Sequence, residues 1–437
     1  MSRSPRREKK PQPPTGAPEA GHGQDGAAAR PQGPAQQPTH EQVPFRKFVL
    51  YFLRLGTTGF GGPIATVGYM QRDLVEQRGW IDRKDFLDGV ALGQTMPGPL
   101  AAQVAMWIGY LRRGAWGALA VAGAFIAPSF LIVVAAGALY AAYSRTGIVQ
   151  ALFYSIAPAV MAIIAIAGYK LLRLTDRSDW RLWVISTIVF TITALTGSEP
   201  IPLILGAGVA VLLIDAPPRW PFRRRRSPRP PEAPQAPPQG AKAVLLPVAL
   251  AVPAGIGTLL PLGLFFLQTG ALVFGSGLAI VPLLRDGVVA QHHWLDQSQF
   301  LDAVAMGLIT PGPVVITAGF IGYLVAGLPG ALVAAVGIFT PIYLAVVLPG
   351  RWFIRHRDNR QVKAFVAGAT AAAAGALSGA VVLLTREAVT DWATAAIAVV
   401  TLGLLLKFKI GEPWIVLAAG ILGIVLKLVL HLPDSAV

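Results

Sequence analysis

The chain has 437 residues, of which 54% are hydrophobic and only 14% charged, and its mean hydropathy is +0.57. This excludes a water-soluble globule with an ordinary polar surface and points to a polytopic membrane protein. Cysteine is absent, which excludes disulfides, thiolate metal sites and cysteine nucleophiles, while much of the net charge of +15 sits outside the apolar runs.

In chain order, residues 1–44 come first, rich in Pro, Gly, Ala and Gln, with no apolar stretch after their basic start. They are expected to form a disordered cytoplasmic tail and not a cleaved signal peptide. A first span is predicted from Phe45 to Met70, interrupted near Phe60 by Gly59, Gly61, Gly62 and Pro63. After a polar loop, Asp82 with Asp85 reads as a helix N-cap and capping partner, matched later by Asp296 with Gln299. The helix that starts there carries Asp88 in its second turn and stops at Pro97-Gly98-Pro99, since proline removes a donor and clashes with the preceding turn. A second half-helix follows to Tyr110, and further spans are predicted at about 116–142, 148–172, 181–196 and 200–214.

Residues 215–242, with Arg219 and Arg223 to Arg226, read as a basic Pro-rich cytoplasmic linker. Together with 1–44 they hold 18 of the 36 prolines. Their charge is read as cytoplasmic retention and contact with anionic lipid, with no nucleic-acid partner. Residues 243–258 are expected to form a linking span, followed by a second set of spans, the later ones at about 328–348, 362–384, 391–406 and 412–430.

The second set repeats the first. Phe60–Pro99 and Phe274–Pro313 agree at 17 of 40 positions without a gap, including Trp80/Trp294, Asp88/Asp302 and the closing Pro-Gly-Pro. A repeat this long fixes the architecture: two homologous halves, 45–214 and 259–430, each of six spans with a helix broken at Pro-Gly-Pro. Basic loops change sides between the halves. Arg112-Arg113 has an uncharged counterpart at 325–330, and the loop after Tyr143 has a counterpart bearing Arg351, Arg355, Arg357, Arg360 and Lys363. The fold expected is therefore all-α and polytopic, with thirteen spans, the N-terminus inside, and halves in an inverted-repeat arrangement. One loop disagrees: 72–84 would be outside, yet it carries Arg72, Arg78, Arg83 and Lys84.

The duplicated block, with Phe60-Gly61-Gly62-Pro63 and Gln94-Thr95-Met96-Pro97-Gly98-Pro99 in its first copy, resembles the chromate transporter family in its long, two-domain form, over nearly the whole of 45–430. That resemblance implies a bacterial inner-membrane protein that exports chromate, a sulfate-shaped dianion. The second copy departs at Ser276-Gly277 and at Ile309-Thr310, so the halves need not contribute equally.

The residues themselves favour an anion. A helix restarted at membrane depth offers free backbone donors and a positive dipole end. The expected substrate site is the backbone around Pro97, Gly98, Pro99 and Pro311, Gly312, Pro313, with Gln94, Thr95, Gln103, Thr310 and Thr317 adding side-chain hydrogen bonds, and with Gly61, Gly62 and Gly275 at the neighbouring interruption. The alternative is that Pro-Gly-Pro is a packing kink. Asp88 and Asp302 are expected to carry protons or to position an arginine such as Arg72 or Arg285, against the alternative of interfacial caps. Glu199 and Glu412 read as structural, Trp80 and Trp294 as interfacial anchors, and His292-His293 as an exposed pair and not a metal site. No cofactor is expected. The expected partners are the oxyanion and the lipid bilayer, with homodimerisation left open.

An inside-negative potential favours an exiting dianion by about 4.6 kcal/mol per 100 mV, at about 2.3 kcal/mol per charge. Two other readings stand beside export of chromate: a transporter or exchanger of sulfate or another small anion on the same fold, and a membrane enzyme or scaffold. No nucleotide loop, zinc signature or serine elbow supports the last of these.

Overall fold

The computed structural model describes residues 43–60, 62–176, 179–197, 201–217, 257–350, 352, 359–408 and 410–430. Gly61, Glu199, Arg351, Arg355, Arg357 and nearly all of the tail, linker and linking span lie outside them. Among the described residues there is no strand. The helices are α1 (Phe45–Thr58), α2 (Gly62–Met70), α3 (Arg83–Thr95), α4 (Leu100–Tyr143), α5 (Gly147–Thr175), α6 (Trp180–Thr196) and α7 (Ile201–Asp215) in the first repeat. The second repeat has α8 (Leu259–Ala271), α9 (Ile280–Arg285), α10 (Gln297–Ile309), α11 (Thr317–Val347), α12 (Arg360–Ala388), α13 (Trp392–Lys407) and α14 (Glu412–Leu430). Helices α2 and α9 run on into π-helical turns, Gln71–Gln77 and Asp286–Gln291. Five segments are long and apolar enough to cross a membrane: α4, α5, Val314–Val347, α12 and most of α14.

Helices α4 and α11 each contain a reversal. Arg113 (φ −143°, ψ 30°) and Gly114 (φ 58°, ψ −147°) in α4 are matched by Ala326 (φ −146°, ψ 30°) and Gly327 (φ 61°, ψ −152°) in α11. Both limbs are in van der Waals contact: a Cβ on Gly109 would overlap the carbonyl of Gly117, and one on Gly322 that of Gly330.

The interruptions also reverse the chain, which corrects the expectation of a single broken span at each. Tyr51 donates its hydroxyl to Asp73 at 3.3 Å, and Trp80 packs on Phe48 and Tyr51 with ring centroids 6.3 Å apart. In a helix that merely kinked, residues 51 and 73 would lie about 33 Å apart at 1.5 Å per residue. α1 and α2 are therefore two sides of a hairpin with its tip at Gly59–Gly62. α3 and the first limb of α4 form another, with tip Met96–Pro99: Gly93 faces Leu100 and Gln103, and Gly89 faces Trp107, whose indole N–H donates to Asp85 O at 3.0 Å. The second repeat copies both, through Phe265 on His292 and Trp294 and through Gly307 on Thr317.

The long limbs relate the repeats. Along the second limb of α4, Gly117 touches its own repeat's hairpin base at Gly109, Ser129 touches the other repeat's tip at Pro311, and Gly137 abuts Tyr323 near the other repeat's base. Gly117 and Gly137 are about 30 Å apart along the helix. Reciprocally, α11 and its extension place Gly330 at Gly322, Ile342 at Gly98 and Gly350 at Tyr110. The outer helices are exchanged as well: α5 packs against α13 and α14, and its counterpart α12 against α6 and α7. Small residues permit that approach, with Gly375 and Gly379 of α12 lying against the backbone of Ser186 and Phe190 in α6.

Candidate functional site

Proline determines how each hairpin tip is built. Residues preceding proline are pushed from the α region, and Met96 (ψ 150°) and Thr310 (ψ 132°) are extended accordingly. Gly98 (φ +138°) and Gly312 (φ +102°) then adopt backbone that an L side chain avoids. The chain restarts as helix at Leu100 and as a 3-10 turn at Val314, and no side chain caps either start. The first amides of each restart have no partner within the helix.

The tips are tied across the repeats. Gly98 N–H donates to Val273 O at 2.6 Å, and Gly312 N–H to Gly59 O at 3.4 Å. A Cβ on Gly277 would lie 3.8 Å from Val314 Cβ and 3.9 Å from Pro99 Cβ, so both helix starts abut one residue of the second repeat. Two positive dipole ends, one from each repeat, converge there.

The remaining residues of the predicted site divide. Gln103, fully buried, donates from Nε2 to Pro97 O at 2.7 Å, and its Oε1 has no partner. Thr95, Thr310 and Thr317 donate their hydroxyl protons to local carbonyls, Ala91, Met306 and Val314, at 2.7, 2.7 and 2.8 Å. Those protons, like the amides of Gly98 and Gly312, are engaged within the protein. Gln94 is exposed on α3. Gly62 (φ +78°) has open space around it, and Gly275 (φ +79°) lies against Thr370 and Leu171. Pro99 and Pro313 stand at the N-cap positions.

Asp88 and Asp302 are both buried, on α3 and α10. Asp302 accepts from Tyr140 of the other repeat at 2.6 Å. The arginines expected beside the aspartates pair elsewhere: Arg72 with Asp73 at 3.0 Å and Arg285 with Glu387 at 3.4 Å. Asp302 and Tyr140 border a polar cavity of about 650 Å³ that also carries Arg145, Asp296 and Glu387. Arg285's partner Glu387 borders the same cavity as Asp302, so the guanidinium is turned to Glu387 beside that cavity. Asp296 caps α10 with a complete capping box to Gln299; Asp82 occupies the equivalent N-cap without a cap bond. His292 stacks on Trp294 at 4.2 Å, and no cluster of metal-ligating side chains exists among the described residues.

Sequence reasoning missed Ser129 and Tyr140. Ser129 donates to Pro311 O at 2.5 Å and is wholly buried. It follows the aligned Pro128, and its counterpart after Pro341 is Ile342, so this polar-for-apolar difference was the available signal.

A family model described as chromate transporter matches the chain twice, over residues 46–212 and 260–424. The chain is 48% identical over 389 residues to the "Chromate transport protein" of Cupriavidus metallidurans, covering 88% of this chain and 94% of that one. It is 46% identical over 392 residues to the "Probable chromate transport protein" of Synechococcus elongatus, covering 88% and 96%. Identity to the "Chromate transport protein" of Pseudomonas aeruginosa is 29% over 421 residues, covering 89% and 95%. No solved structure matches the chain.

Proposed function

The chain belongs to the chromate transporter family, and on that premise we propose that it exports chromate across a bacterial inner membrane. The observation that carries the reading is the junction at Gly277, where an uncapped helix start from each repeat meets the other. The amides of Leu100 and Ala101 and of Val314 and Val315 hold the oxyanion there. Gly98 and Gly312 set the tips by donating across the repeats, and Gln103 braces the first tip through Pro97 O. A dianion at this depth interacts with fixed dipoles in a low-dielectric setting, so no arginine has to be buried beside it.

The two repeats lie in the bilayer as an inverted pair. Contacts of Ser129 and Gly137 with successive levels of the other repeat support this, as does their reciprocal set at Ile342 and Gly350. The hairpins are re-entrant, so both bases of the first repeat fall on one face. That face carries Arg46, Lys47, Arg78, Arg83, Lys84, Arg112 and Arg113, and Arg112 donates to Trp80 O, joining the bases. By the positive-inside rule it is cytoplasmic, with the N-terminus. The basic 72–84 loop, anomalous in a thirteen-span scheme, then lies inside.

Asp302 exchanges protons with the opposite face through the 650 Å³ polar cavity and Tyr140, which couples efflux to the proton gradient in addition to voltage. Counterflow of radiolabelled chromate and sulfate in proteoliposomes tests the substrate. Chromate exchange that excess sulfate does not abolish supports the reading, and absence of chromate exchange contradicts it.

A further inference from the structure

Tyr51, Arg54 and Thr58 follow one another along one face of α1, and Arg72, Asp73 and Arg78 face them from α2 and its π-helical extension. Together they border a cavity of about 360 Å³ that runs from the base of the first hairpin to its tip at Phe60. Three guanidinium groups there meet one carboxylate. Asp73 is taken up by Arg72 at 3.0 Å and by the Tyr51 hydroxyl at 3.3 Å. Arg78 lies over the rings of Trp80 at 4.7 Å and Tyr51 at 5.3 Å, which holds its plane without neutralising it. Among the described residues Arg54 makes no ion pair, and it lies about 13 Å along α1 from Phe45, at 1.5 Å per residue. A guanidinium at such depth is costly unless it lines a water-filled ion path.

The second repeat builds the same cleft, of about 220 Å³, and changes its charge. Gln268 stands for Arg54, Asp286 for Arg72 and His292 for Arg78. Asp286 accepts from Gln291 at 3.0 Å. Each cleft is walled by a π-helical turn, a feature that recurs at functional sites. Packing alone would be served by either residue set. Duplicate architecture with a basic lining at one end and a lining of Gln268, Gln291 and His292 at the other suits a path for an anion.

We propose that the first-repeat cleft is the loading site for a tetrahedral oxyanion dianion, bound by Arg54 and Arg78 beside Arg72 before it moves to the helix starts. This rests on the export reading above. The planar fork of arginine matches an oxyanion bidentately, and a basic cleft with low-dielectric walls concentrates anions at its mouth. The second-repeat cleft, lacking those groups, is a release path; the pair makes loading tighter on one side, while the electrical gradient sets the direction of net flux.

Initial rates of radiolabelled chromate uptake into inside-out vesicles carrying the full chain test this. Arg54→Gln and Arg78→His install what the second repeat has. Each is expected to raise the apparent KM about tenfold or more while the maximal rate stays within about twofold, a loss of about 1.4 kcal/mol or more in loading. Arg54→Lys keeps the charge but loses the bidentate fork, so its KM should rise less than that of Arg54→Gln, and Lys407→Gln, outside the cleft, should change nothing. An unchanged KM in Arg54→Gln, or equal loss in Arg54→Lys and Arg54→Gln, overturns the proposal. Where a maximal rate collapses instead, equilibrium binding of radiolabelled chromate to the purified protein reports affinity directly, and wild-type affinity in Arg54→Gln overturns it too. Wild-type vesicles that take up sulfate and not chromate would defeat the substrate reading, and the same variants assayed with sulfate would still decide the cleft.

Discussion

The Gly98 amide donates to the carbonyl of Val273 at 2.6 Å, and their repeat counterparts, Gly312 and Gly59, make the same bond at 3.4 Å. Each repeat thus closes the other's hairpin tip. A Cβ at Gly98 would meet Gln103 Nε2 at 2.8 Å and Ile342 Cγ2 at 3.0 Å, in backbone at φ +138°. Gly98→Ala should therefore cost about 1–3 kcal/mol in backbone strain and abolish chromate efflux. Gly312→Ala should do the same, because its Cβ overlaps the Ser129 hydroxyl. Thermal unfolding in detergent together with vesicle efflux checks both, and wild-type efflux in both variants would reduce Pro-Gly-Pro to a packing device.

The hairpin topology makes a prediction that a thirteen-span scheme reverses. In this cysteine-free chain, Lys84→Cys should be protected from a membrane-impermeant maleimide in intact cells, and Ser298→Cys should be labelled. Labelling of Lys84→Cys from outside would show that the first repeat's hairpins cross the membrane.

The reversals were the part of the fold hardest to read. Apolar runs, the 214-residue offset and the Pro-Gly-Pro breaks were all legible, because periodicity and proline chemistry are local. Whether a break at Gly59–Gly62 bends the chain or turns it back depends on what packs beside it: here Trp80 on Phe48 and Tyr51 on Asp73. The one sequence clue was Arg72, Arg78, Arg83 and Lys84 in a loop of the wrong sign. At the site, residue types singled out the tips, but the partners of Gly98, Thr95 and Asp302 lie on backbone or on the other repeat, which spacing does not reveal.

Asp302 and Tyr140 separate two mechanisms. Asp302→Asn keeps the shape but cannot ionise, so it should remove the dependence of efflux on an imposed pH gradient and leave voltage-driven flux. Loss of the charge-assisted bond from Tyr140 should cost about 1.5–3 kcal/mol of stability. Tyr140→Phe should retain pH dependence with slower coupled flux. Pass-through of wild-type pH dependence in Asp302→Asn, measured in vesicles, would leave Asp302 as a structural anchor between repeats.

Outside the spans, Asp179 caps α6 by accepting from the Arg181 amide at 3.0 Å and pairs with its guanidinium at 2.6 Å. The Arg181 hydrogen bonds hold its carboxyl below the usual carboxylate range. A depressed folded-state value stabilises above the unfolded value of about 3.9 and is lost as pH falls through the folded one. Asp179→Ala should cost about 1 kcal/mol from the lost cap at neutral pH. The difference from wild type should shrink below about pH 4, as unfolding midpoints at pH 7 and pH 3 would report.

The central claim is that chromate leaves the cell down the electrical gradient through the junction of two facing helix starts. Purified protein in proteoliposomes, loaded with radiolabelled chromate and clamped by a potassium diffusion potential without a pH gradient, tests it most directly. Saturable efflux toward the positive side is predicted, rising with voltage in the sense of a dianion and absent in Gly98→Leu. Chromate movement indifferent to the sign of the potential, or equal in Gly98→Leu, would contradict the account.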